Sequence, residues 1–269
     1  MRLLAAQSAA MLILLSPAKT LDYDTPVSAA LARRATDPLF VPQAQTLIAA
    51  LRKKSASQVA QLMDLSDTLA TLNVQRYRAW QPQADEHNSK PAVLAFNGDV
   101  YEGLDAPQLK AADLDWAQDH VVILSGLYGA LRPLDRLQPY RLEMGTTLPV
   151  GRTKDLYAYW GDTIAHYLNE RLAGQAKPVI LNLASQEYAR AALRPALQAR
   201  VVECQFEDWK SGRYKVISFF AKRARGLMAR WAITHRVKRV DQLQGFAQEG
   251  YAVDEQASEP DRLVFRRRV

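Results

Sequence analysis

A run of four apolar residues, Val121-Val122-Ile123-Leu124, ends abruptly at Ser125-Gly126, and this run constrains the fold more than any other stretch. It is short and mostly β-branched, which specifies a buried strand. Gly126 and Gly129 bracket Leu127-Tyr128, so the backbone there can turn tightly or approach another group closely. Arg132-Pro133, Asp135-Arg136, Pro139-Tyr140-Arg141 and Glu143 follow. An Arg-, Tyr- and Pro-rich loop launched from a buried strand has two readings: a functional loop, or a structural turn with solvated charges.

Similar runs recur. Leu12–Leu15 reads as a strand ending in Ser16-Pro17-Ala18-Lys19-Thr20, Ala92–Phe96 as one ending near Gly98 and Asp99, and Val179–Leu183 as one ending near Ser185. Helices are predicted near 43–53, 57–64 and 67–79, with Ser55 and Ser66 as N-caps and Leu47, Leu51, Val59, Leu62, Met63, Leu69, Leu72 and Tyr77 as core. Further helices are expected over Asp113–Asp119 and, as one amphipathic element, Lys154–Leu172. Ser185 is expected to cap the helix after it. Val201–Phe206 and Tyr214–Ser218 read as paired strands, with strands near 250–254 and 262–267. The last helix, Phe219–His235, is expected to bury Phe220, Ala224, Leu227, Met228, Trp231 and His235, and to turn Lys222, Arg225 and Arg236 outward. Strands alternating with helices and closing on a hairpin indicate an α/β protein: a single mixed domain with a central mixed sheet and surrounding helices. That domain is expected over residues 11–269. Residues 1–10 read as an N-terminal extension, with Met11 as the natural start, rather than as a signal peptide.

The net charge of +7 is unevenly placed. Between Asp208 and Asp241 there are ten cations and no acid; the remaining 25 cations face 28 acids. One segment therefore carries the whole excess, which points to a polyanionic partner. Cys204 is the single cysteine; its apolar neighbours suit a buried thiol, and a reducing compartment is expected. Walker, dinucleotide-binding and Gly-x-Ser-x-Gly patterns do not occur, and His87, His120, His166 and His235 lack metal spacing. No cofactor, metal or membrane span is expected, and a monomer is favoured.

LILLSPAKTLDY at 12–23, FNGDVYEGL at 96–104, LSGLYGALRPLD with PYRLEMG in 124–145, KDLYAYWGD at 154–162, NLASQEY at 182–188 and KVISFFAKRARGLMARW at 215–231 together resemble the YaaA peroxide stress resistance family, formerly a family of unknown function. The resemblance implies a cytoplasmic bacterial protein that protects against hydrogen peroxide by keeping free iron low. It also implies a positively charged cleft, a helix-hairpin-helix element and binding to double-stranded DNA. Gly126-Leu127-Tyr128-Gly129 is the candidate hairpin, with two residues between its glycines where the usual pattern has one.

Two functions compete at this point. In the first, Lys19, Arg132, Arg136, Arg141, Lys222, Arg223, Arg225 and Arg230 converge on one cleft, with Gly126, Tyr128 and Gly129 at the hairpin, and grip DNA phosphates with little sequence preference. In the second, the chain is an enzyme on a nucleotide or another phosphorylated small molecule. Lys19, Asp99, Ser125 and Ser185 would then lie at strand ends, and Asp135 or Glu143 would serve as acid or base. Asp99 and Glu102, near Gly98 and Gly103, have two readings: accepting hydrogen bonds from a ligand or binding Mg²⁺, or capping the turn that follows their strand, which is favoured.

Overall fold

The computed structural model describes residues 11–268, so the expected extension over residues 1–10 lies outside the described residues. Eight strands form the main sheet. They are β1 (Met11–Leu15), β2 (Val121–Ser125), β3 (Gly129–Leu131), β4 (Val179–Asn182), β5 (Arg200–Lys210), β6 (Arg213–Lys215), β7 (Ala252–Val253) and β8 (Arg262–Arg267). Their order is β7-β8-β5-β4-β1-β2-β3, with β6 hairpinned onto β5. The five strands from β8 to β2 are mutually parallel, and the outer pairings are antiparallel. Both ends of the described chain thus share one sheet. β1, β2 and β4 are buried along their whole length, which is why they read as continuous apolar runs: a parallel sheet covered on both faces has no solvent side to alternate with.

Helices Val41–Leu51, Ala56–Met63 and Asp67–Ala79 form where expected. Ser55 closes a capping box with Gln58, and Ser66 Oγ accepts from Leu69 N. Leu69 and Leu72 are 39% and 38% exposed rather than core. The Ala92–Phe96 strand is not formed. Ala92–Ala95 makes one helical turn instead, because Ala92 N and Val93 N donate to Asp135 O and Pro133 O of the neighbouring loop. Only Phe96–Asn97 extends, pairing with Thr20–Leu21. The expected Lys154–Leu172 helix breaks into Leu156–Trp160 and Thr163–Arg171 at Gly161, whose φ of +48° a helix cannot continue through.

The 121–145 segment is a structural spine rather than an exposed loop. Gly126-Leu127-Tyr128 forms the turn between β2 and β3, so strands flank it and the helix-hairpin-helix expectation is not met there. A Cβ on Gly126 would lie 2.2 Å from Leu142 O, and one on Gly129, at φ +66°, would meet the Trp160 ring at 2.6 Å. Tyr128 is buried; its hydroxyl accepts from Trp80 Nε1 at 2.8 Å, and its N–H donates to Ser125 Oγ at 2.9 Å. Ser125 is also buried and bonds Tyr140 Oη at 2.7 Å.

The last helix, Ser218–Thr234, buries a face rotated from the expected one: Ala221, Ala224, Met228, Ala229, Ala232 and Ile233. Phe220 is 39% exposed, and Arg225 lies on the buried side rather than opposite it. Small side chains win because this helix crosses Asp99–Leu104 backbone to backbone. A Cβ on Gly226 would stand 1.8 Å from Val100 O, and one on Gly103 would stand 2.2 Å from Arg223 O. Gly226→Ala must therefore push two helices apart. We expect a loss of about 3 kcal/mol in urea unfolding, the upper range for overpacking. A change under about 0.5 kcal/mol would contradict the crossing.

Candidate functional site

β1 lies between β2 and β4. The chain leaving β1 goes on to β2 on one side, and the chain leaving β4 goes on to β5 on the other. Such a reversal opens a crevice beyond the carboxyl ends of the two strands, the usual ligand position in a mostly parallel sheet. A cavity of about 380 Å³ occupies this place. Its walls come from the loop after β1 (Ser16–Thr20), the start of helix Asp99–Leu104, Glu143, the segment after β4 (Ser185, Glu187, Tyr188), and the last helix (Lys222, Arg225).

The floor is held by hydrogen bonds between these elements. Ser185 N donates to Ser16 Oγ at 2.8 Å, and Ser16 Oγ donates to Ser185 Oγ at 3.3 Å. Ser185 sits at the helix start as expected, but its side chain meets Ser16 and does not cap. Tyr101 Oη donates to Ser16 O at 3.0 Å. Burial holds the Tyr101 and Tyr188 hydroxyls well above their ordinary pKa, so both stay protonated at neutral pH. Glu143 is clamped between two cations: Lys19 Nζ at 2.9 Å, and Arg141 through Nε at 3.2 Å and Nη2 at 2.9 Å.

Arg225 is different. It is half-buried and lines the cavity, yet it makes no hydrogen bond or ion pair among the described residues. Burial lowers its pKa, and the nearby Glu203 and Cys204 pull it back up. A guanidinium remains charged under such a shift, and with Glu203 near but not in an ion pair with it, its N–H groups are left to be completed by an anion. Lys222, one turn earlier, is exposed and likewise has no acidic partner among the described residues. Asp99 and Asn97 face the same cavity with side chains that bond no protein group there. Asp99 lies in the first turn of its helix, as does Glu102.

The other expected cations do not reach this cleft. Arg132 pairs with buried Asp135 at 3.0 Å, and Arg136 pairs with Asp37 at 2.9 Å. Arg223 makes three hydrogen bonds to Glu249. Arg230 donates to Leu104 O at 2.9 Å and Asp105 O at 2.7 Å, satisfying the end of helix Asp99–Leu104. Four of the ten cations of the segment without acids, Arg223, Arg230, Arg236 and Arg239, are thus paired in space with acids. Gly126, Tyr128 and Gly129 are in the core and out of reach of a ligand. Residues not singled out from the sequence, namely Ser16, Asn97, Tyr101, Glu187 and Tyr188, complete the walls. All five fall inside the quoted motifs LILLSPAKTLDY, FNGDVYEGL and NLASQEY, just past strands. No group of three His, Cys, Asp or Glu side chains is arranged to hold a metal among the described residues.

These features define an α/β protein with a polar cleft at the switch point of a mostly parallel sheet. Residues 11–257 match the family described as peroxide stress protein YaaA, and the chain belongs to that family. It is 66% identical over 257 residues to a UPF0246 protein of Leptothrix cholodnii, covering 96% of this chain and 98% of that one. It is 63% identical to a UPF0246 protein of Albidiferax ferrireducens (96% and 98% covered). A UPF0246 protein of Bordetella avium is 62% identical (96% and 100% covered).

The Arg132–Asp135 pair gives a test that separates scaffold from site. Asp135 is 2% exposed, and burial holds its carboxyl above the ordinary carboxylate range despite Arg132. Arg132→Ala leaves that carboxylate uncompensated, and we expect a loss of about 3 kcal/mol at pH 8. A folded pKa raised above the unfolded value of about 3.9 means that the folded state gains the extra proton as pH falls. The deficit should therefore shrink between pH 8 and pH 5 in urea unfolding. A deficit that grows over that range would refute the assignment.

Proposed function

We propose that this peroxide-stress protein works in the cytoplasm by binding double-stranded DNA through its phosphates at the switch-point cleft, with Arg225, Lys222 and Lys19 as the contacting cations. It thereby helps to spare DNA from the iron-driven damage that peroxide causes. Family membership supports the stress role, and the resemblance of the motifs supports the DNA and iron components. The observation that carries the phosphate reading is Arg225: a half-buried guanidinium lining the cleft with no hydrogen bond or ion pair among the described residues. Phosphate contacts fix position and affinity but carry no sequence information, so little sequence preference is expected.

A second reading, an enzyme acting on a nucleotide or another phosphorylated small molecule, is favoured by the cleft's position at the strand ends and by its size. Lys19 and the clamped Glu143 would supply charge stabilisation and acid–base chemistry. A thermal-shift series with nucleotides and with duplex DNA separates the two, since stabilisation by duplex alone removes the second.

On two fluorescent duplexes of unrelated sequence, Arg225→Ala should weaken binding about tenfold on both, the scale of one lost charge-assisted contact. Arg223→Ala, whose guanidinium is already held by Glu249, should change affinity less than about twofold. Loss on only one duplex, or a larger effect from Arg223, would overturn the assignment.

A further inference from the structure

A cavity of about 380 Å³ is equivalent to a cube about 7 Å on a side. The major groove of a duplex alone spans about 12 Å, so no duplex enters this cleft; only one backbone unit does. The volume also exceeds what a lone phosphate needs and falls at the small end of ligand pockets, about 300–1,000 Å³. The chemistry of the walls is equally restrictive. Arg225 and Lys222 await an anion, but Asp99 faces the same cavity as an unpartnered carboxylate beside the unpartnered amide of Asn97. A carboxylate repels a phosphate, yet it accepts hydrogen bonds from a base N–H or a sugar hydroxyl. An amide both donates and accepts, which is the pattern of a base edge. One occupant satisfies both sets of groups: an anion covalently joined to hydrogen-bond donors.

We infer that the cleft takes one whole nucleotide, with its phosphate on Arg225 and Lys222 and its base or sugar on Asp99 and Asn97. In DNA carrying an unpaired nucleotide that nucleotide is turned out of the helix, whereas a fully paired duplex presents only a phosphate to Arg225 and Lys222. This rests on the DNA reading above for its setting and goes beyond it in the unit recognised. Extruding a nucleotide costs unstacking energy, which is least where the base is already unpaired. The protein therefore prefers DNA carrying an unpaired nucleotide over fully paired DNA, and the site inspects single nucleotides rather than tracking the duplex.

Calorimetry on the full chain with a deoxynucleoside 5′-monophosphate and with inorganic phosphate tests the occupant directly. The monophosphate should bind at least tenfold more tightly. In parallel, a duplex with one bulged nucleotide should bind at least fivefold more tightly than its fully paired counterpart. Asn97→Ala, which removes a side chain that bonds nothing in the protein, and Asp99→Asn should each erase that preference while leaving the paired duplex within about twofold. Equal binding of monophosphate and phosphate overturns the inference whatever the duplexes do. Equal binding of bulged and paired duplexes overturns the extruded-nucleotide setting while leaving duplex binding intact. Tight monophosphate binding with no duplex binding supports the nucleotide-sized site and removes the DNA reading instead.

Discussion

A loop can be buried only if its amides and carbonyls find partners away from water, and the segment after β2 finds many of them in distant elements. Helix Asp67–Ala79 and the residues just after it supply much of the satisfaction. Tyr77 Oη donates to Arg141 O, Gln81 N donates to Gln138 Oε1 at 2.9 Å, and Trp80 holds Tyr128. From the other side, Trp160 Nε1 donates to Gly126 O at 3.0 Å, and Glu187 accepts from Gly145 N at 2.9 Å. Thr36 and Arg132 hold the Asp135 carboxylate. With the loop fixed, Glu143 is delivered to the cleft, where it holds Lys19 and Arg141. The wall of the site therefore depends on a polar network that begins in a helix far away in sequence.

Much of the fold was legible in the sequence because parallel strands covered on both faces leave an unmistakable apolar run. β1, β2 and β4 appear where Leu12–Leu15, Val121–Leu124 and Val179–Leu183 predict them. Ser55 and Ser66 mark their helices through a local mechanism, and local mechanisms are readable. What was not legible depends on distant partners. Ala92–Phe96 has strand composition, yet the carbonyls of Pro133 and Asp135 draw it into a helical turn. On the last helix, large apolar residues suggested one buried face, whereas the close crossing at Gly103 and Gly226 selected the face of small residues.

The same contrast governs the site. An acid-free run of ten cations looks like an open basic surface in one dimension. In three dimensions Glu249, Asp105, Asp113 and Asp241 come to Arg223, Arg230, Arg236 and Arg239. Exposed pairs of this kind add little stability, but they withdraw those arginines from service as free phosphate ligands. Lys210, Arg213, Lys215 and Lys238 have no ion pair among the described residues and lie outside the cleft, and the cleft itself holds one half-buried arginine, one exposed lysine and one lysine shared with a carboxylate. Lys19, Asp99 and Ser185, whose places after strands are legible in the sequence, line the cleft, and Arg225 lines it from the buried side of its helix rather than from the outward face that the spacing predicts.

The central claim is that few cations, gathered in the cleft, meet the phosphates, while most of the basic residues named from the sequence serve the scaffold. Duplex affinity measured across a salt series tests this directly, because each phosphate contact contributes about −0.9 to the log–log slope. A cleft that admits one backbone unit predicts a shallow slope, between about −1 for a single phosphate and about −3 if Arg225, Lys222 and Lys19 each meet one. A slope near −7, the value for about eight contacts, would show that the broad basic surface binds after all and would contradict the account.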